Sequence, residues 1–87
     1  MRFRGDDMTE QAIRIANRIS IDGTKVCYWK LSDGTWSVFL PNCGQFSIRK
    51  HQVEEHEDGT ITVSPSIVCE GRTIRHGHLT RGVWSEC

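Results

Sequence analysis

The tripeptide Asp-Gly-Thr occurs three times in this chain, at residues 22–24, 33–35 and 58–60. Asp-Gly accepts the positive φ of a tight turn, so it marks chain reversal wherever strand-like residues flank it. The flanks have that character. Residues 25–31 alternate, with Cys27, Trp29 and Leu31 on one face. Trp36, Val38 and Leu40 alternate in the same way, and Ile61 and Val63 share a face opposite Thr60, Thr62 and Ser64. Pro65 stops the third run at Ser64. The spacing of the tripeptides is too uneven for a repeat architecture. The chain therefore reads as mainly β, a small antiparallel domain of short hairpins.

Two segments stand apart from that pattern. Thr9 is placed to cap a helix with Ile13 and Ala16 inward, whereas Ile13, Ile15, Ile19 and Ile21 fall at period two. We read a short helix over 8–17 that leads into a strand at 19–21, which makes the class α+β. Residues 50–58 hold Glu54, Glu55, Glu57 and Asp58 with His51 and His56, and read as an exposed, solvated connection.

Eighty-seven residues make one domain, 1–87, with 1–7 expected to be disordered. At this size a staple such as a disulfide or a metal begins to help. Three tryptophans argue for a packed fold. Eleven basic and eleven acidic side chains cancel, which counts against a general polyanion binder. No apolar run approaches the roughly 20 residues of a membrane span, and the N-terminus has no secretory h-region. A cytoplasmic protein without membrane contact is expected. In a reducing compartment its four cysteines should be thiols, which favours a metal over a disulfide framework.

Cys43, Cys69, His76, His78 and Cys87 are the candidate ligands, since zinc is commonly held by thiolate and imidazole from separated segments. Cys43 lies in the turn Pro41-Asn42-Cys43-Gly44, where glycine lets backbone amides approach a thiolate. The turn lacks the second cysteine, two residues away, of a zinc knuckle. Cys27 sits between Val26 and Tyr28 on an apolar face and is assigned to the core. A buried Cys is equally a small hydrophobe and an exposed His is ordinary, and a Cys43–Cys69 disulfide suits an oxidising environment.

The segment Asp58-Gly59-Thr60-Ile61-Thr62-Val63-Ser64-Pro65-Ser66-Ile67, then His76 and Gly82-Val83-Trp84, resembles a family of small uncharacterised bacterial and phage proteins. Their pattern is a Cys-Pro-Cys-Gly-Cys-Gly-like turn, a strand ending in Ser-Pro-Ser-Ile, a Cys-x-x-His and a last strand with Gly and Trp. Leu40-Pro41-Asn42-Cys43-Gly44 resembles a worn form of the first turn. The likeness covers residues 36–84. It implies a small structural Zn2+ site, with Cys43 and His76 carried over by position. The chain departs from the pattern at Asn42 and its neighbours, which supply no further turn cysteine, and at Thr73, which stands where the Cys of Cys-x-x-His belongs. Cys69 and Cys87 are the substitutes, with His78 as an alternative ligand.

Three functions follow. The first is a phage-type accessory protein: a non-enzymatic protein-binding module that modulates or inhibits a host protein or defence system in the host cytoplasm. Tyr28, Trp29, Trp36 or Trp84 would be its anchors if exposed, and homo-oligomers are compatible with it. The second is a small nucleic-acid-binding zinc domain, for which Arg72, Arg75, Arg81 and Trp84 supply phosphate contacts and a stacking ring. The third, an enzyme with a Cys-His pair oriented by Glu70, ranks last because no nucleophile motif accompanies it. We expect a non-enzyme.

Overall fold

The computed structural model describes residues 9–87. The expectation for 1–7, and the first residue of the expected helix, lie outside that range. Among the described residues the protein is all-β, with no α-helix.

All three Asp-Gly-Thr segments use one hydrogen-bonding device. The aspartate Oδ1 accepts from the threonine amide and hydroxyl two residues on. The distances are 2.9 and 2.7 Å at Asp22, 3.0 and 2.7 Å at Asp33, and 3.0 and 2.6 Å at Asp58. Two copies are hairpin turns. The turn at 33–35 joins β3 (Cys27–Lys30) to β4 (Trp36–Leu40), and that at 58–60 joins β6 (Gln52–Glu55) to β7 (Ile61–Ser64). Gly34 and Gly59 take φ of 91° and 89°, where a side chain would be strained. The copy at 22–24 makes no hairpin; it lies between a 3₁₀ turn, Arg18–Ser20, and β3.

Hydrogen bonds from threonine hold the Asp22, Asp33 and Asp58 carboxyls below the usual range. A carboxyl whose folded pKa is depressed stabilises the fold above its unfolded value, about 3.9, and loses that contribution as pH falls through the folded value. Melting temperature should therefore fall modestly below about pH 4, because all three carboxylates are exposed and screened by solvent, with Glu55 and Glu86 adding to the same limb. Replacing the three aspartates together with asparagine should flatten that acid limb in part, and an equally steep limb in the variant would refute the assignment.

The N-terminal helix does not form. β1 (Thr9–Gln11) and β2 (Ile13–Arg14) are consecutive strands of one extended run. β1 pairs antiparallel with β10 (Val83–Glu86), and β2 pairs parallel with β3. At the crossover the Ala12 amide donates to Gly82 O at 2.8 Å, Ile13 to Val26 O at 2.9 Å and Ile15 to Tyr28 O at 2.9 Å. The Glu10 carboxylate accepts from the Val26 amide at 3.2 Å. A ten-residue helix burying only Ile13 and Ala16 is marginal in water, so two sheet edges outcompete it. The strand expected at 19–21 is also absent: Asn17 caps the 3₁₀ turn and Ile19 is 85% exposed.

Two four-stranded sheets result. One has the order β1-β10-β9-β8, with β8 (Ile67–Glu70) and β9 (Ile74–Thr80); the other is β2-β3-β4-β5, with β5 (Gly44–Ser47). The β6–β7 hairpin is a third, two-stranded sheet. Tyr28, Trp36, Val38 and Leu40 from the second sheet meet Ile67, Leu79 and Trp84 from the first and Ile61 and Val63 from the hairpin in one core. β3 is buried on both faces. Tyr28 faces this core opposite Val38, while Cys27 and Trp29 are buried on the other side opposite Phe39 and Ser37.

Residues 50–58 are not a loop throughout. Gln52–Glu55 is a strand, with Val53 opposite Val63 and the acidic side chains exposed around it. Its flanking histidines are partly buried rather than solvated. His56 Nε2 lies 2.7 Å from Thr62 Oγ1, and His51 Nε2 3.2 Å from the Ser66 carbonyl.

Candidate interaction surface

Residues 65–87 hold most of the candidate residues, and the strand period sorts them into two faces. In β9, Gly77 and Leu79 are buried, whereas Ile74, His76, His78 and Thr80 are exposed. In β8, Ile67 and Cys69 point inward and Val68 and Glu70 outward. The register sets Val68 opposite His76 and Glu70 opposite Ile74.

The proposed ligands are split by this sorting. Cys43 and Cys69 are joined in a disulfide, 26 residues apart in sequence, on the core side of β8. His76 and Cys87 lie on the outer, exposed side. His76 Nε2 is 2.8 Å from the Ser66 hydroxyl, and Cys87 is a free thiol. Cys43, Cys69, His76 and Cys87 therefore do not fit a single ion in this disulfide-closed form, because two donors are consumed and the others face away. Among the described residues no group of three or more His, Cys, Asp or Glu is assembled to hold a metal. Cys27 is a buried free cysteine.

The basic stretch is dispersed as well. Arg75 is tied to the Glu86 carboxylate through both Nε and a terminal nitrogen, and its second terminal nitrogen donates to Pro41 O at 3.3 Å. Its guanidinium lies 5.7 Å from the Trp84 ring centroid. Trp84 is 1% exposed and donates its indole N–H to Glu86. Burial works against ionisation of Glu86, but the hydrogen bonds from Trp84 and Arg75 outweigh it and hold the carboxyl below its usual range. Neither Arg75 nor Trp84 is free to grip a nucleic acid. Arg72 and Arg81 occupy the turns at opposite ends of β9, whose seven residues span about 20 Å. Arg81 borders an open cavity of about 470 Å³ lined otherwise by Glu54, Glu55, His56, Glu57 and Asp58, a setting that repels phosphate.

Another cationic cluster is structural. Arg14 and Lys30 both pair with Glu55, at 2.9 and 3.1 Å, and both lie over the Trp36 ring. They tie the second sheet to the β6–β7 hairpin. Tyr28, Trp29, Trp36 and Trp84 are all buried, so none is an exposed anchor.

Beside the histidines and Glu70, the outer face exposes two aliphatic side chains. Val68 is 51% and Ile74 72% accessible, on paired strands at the end of the first sheet. Sequence reasoning missed both. Ile67-Val68-Cys69 reads as one apolar run, and only the register separates its outward member. A periodic reading of residues 67–70 and 74–80 together would have exposed them.

No protein-family model matches the chain, and neither the curated proteins nor the solved structures yield a match. No helix among the described residues is long and apolar enough to cross a membrane.

Proposed function

We propose that this chain is a small accessory protein that works as a non-enzymatic protein-binding module, acting on a host protein as its phage-type resemblance implies. The supporting observation is the exposure of Val68 and Ile74 on the terminal β8–β9 hairpin. β8 has a sheet neighbour on one side only, so its other edge offers backbone donors and acceptors to an added strand. A partner segment in extended form would pair with that edge and cover Val68 and Ile74 with its own apolar side chains. Glu70 and Arg72 would flank the contact and set its register through charge.

The nucleic-acid reading has less behind it, since Arg75 is already neutralised and Arg72 and Arg81 are far apart. The enzyme reading has less behind it, since the hydrogen-bonded ring nitrogen of His76 is held by the Ser66 hydroxyl and not by the Cys87 thiol.

A displayed library of extended peptides tests the proposal. Selection on the full chain should enrich sequences with alternating apolar residues. Val68→Asp and Ile74→Asp should each weaken the selected peptides at least about tenfold, since a buried aliphatic side chain contributes roughly 1.5–3 kcal/mol. Unchanged affinity in both variants would refute the site. Retention on immobilised single-stranded DNA at low salt, lost at high salt, would instead support the nucleic-acid alternative.

A further inference from the structure

The sorting that separates the four expected ligands leaves two of them, His76 and Cys87, on one face together with His78. In the β9–β10 pairing, Ser85 stands opposite His78 and Glu86 opposite Gly77. The Cys87 amide donates to the His76 carbonyl at 2.8 Å, which continues the register by one step and sets Cys87 opposite His76. His76 and His78 are two apart on one strand and share its outer face. All three residues are exposed, and Cys87 is a free thiol.

The spacing suits one small ion. Directly opposed residues have Cβ atoms about 4.5–5.5 Å apart, and diagonal neighbours about 7–8 Å or somewhat less. Residues two apart on a strand are separated by about 6.5 Å. Imidazole and thiolate arms of this length close on a centre with metal–nitrogen bonds of about 2.0–2.1 Å and a metal–sulfur bond of about 2.3 Å. The present rotamers do not converge in this way. One ring nitrogen of His76 is engaged by the Ser66 hydroxyl at 2.8 Å. Exposed side chains exchange rotamers within nanoseconds, so convergence requires no change of backbone. To meet Cys87 the His76 ring leaves Ser66, which precedes β8, and turns toward β10 on the other side of β9.

We propose that His76, His78 and Cys87 form an open three-ligand site for a borderline-soft divalent cation of the zinc class on the outer face of β9 and β10. The site uses neither Cys43 nor Cys69, so it coexists with the closed disulfide. Three protein ligands leave a fourth position for water or for a donor from another molecule. Two imidazoles and one thiolate favour zinc-like ions over magnesium or calcium, which prefer oxygen. The site adjoins the proposed peptide surface, since Val68 stands opposite His76, but uses neither Val68 nor Ile74 as a ligand.

Cobalt(II) is the probe, because its spectrum reports both thiolate ligation and coordination number. The full chain is titrated near neutral pH with Cys87 reduced and the disulfide intact, both verified by alkylation mass. The expected result is one ion per chain, a thiolate-to-cobalt charge-transfer band and displacement by zinc. Cys87→Ser should abolish the band, and His78→Gln should weaken binding at least about tenfold. Both variants should keep the wild-type circular dichroism, because these side chains are exposed. No thiolate band at saturating cobalt would overturn the site. So would a band that survives His76→Gln with His78→Gln, or one ion shared by two chains.

Discussion

Trp84→Ala is expected to cost about 3–5 kcal/mol, a large part of the stability of any domain of this size. Trp84 is 1% exposed and sits where the first sheet meets the shared core. The substitution removes the ring and also the indole donor to Glu86, whose carboxylate is then left to Arg75 alone. Melting followed by near-UV circular dichroism should fall by on the order of 20 °C. Trp84→Phe keeps most of the apolar volume but not the N–H, so it should lose distinctly less. Equal losses would mean that the hydrogen bond, not the packing, dominates. Gly77→Ala perturbs the same place from the other side. A Cβ there would collide with the Ser85 carbonyl oxygen and lie 2.7 Å from Trp84 Cζ2.

Breaking the Cys43–Cys69 bond is expected to cost about 3.5 kcal/mol, the chain-entropy value for a closed loop spanning the 26-residue separation. The Cys43→Ala, Cys69→Ala double variant should melt on the order of 15 °C lower than the oxidised wild type. Reductant should lower the wild type by a similar amount and leave the variant unmoved. Alkylation under denaturing conditions should label two thiols, Cys27 and Cys87, without reductant, and four with it. Four labels in both samples would show that the bridge does not form. The bridge fastens the turn after β4 to β8, so its loss should loosen that end of the core first. Gly71 belongs to the same contact, because a Cβ there would strike the Cys43 backbone.

The hairpins were legible because aspartate, glycine and threonine dictate turn geometry locally. The Asp33 and Asp58 turns need no information from distant residues. The N-terminal run was misread because its partners lie far along the chain. Nothing near Ala12 announces that its amide will meet Gly82. The acidic run at 50–58 hid a strand for a related reason, since the inward residue of that strand, Val53, is paired with Val63. At the candidate surface, sequence pointed to the right segment but could not sort its faces. His76, His78 and Cys87 fell outside, Cys69 and Trp84 inside, and that division depends on where each strand begins. Charge counting likewise cannot foresee that Glu86 absorbs Arg75.

The extended run through residues 9–15 hydrogen-bonds first to β10 and then to β3. It is a shared edge, so neither sheet is a separable folding unit. Peeling that run away strips a border from both sheets at once. Amide exchange in β10 and β3, strands from different sheets, should therefore accelerate together when Ala12 is replaced by a bulkier residue. The molecule would respond to damage at its margin as a single cooperative body.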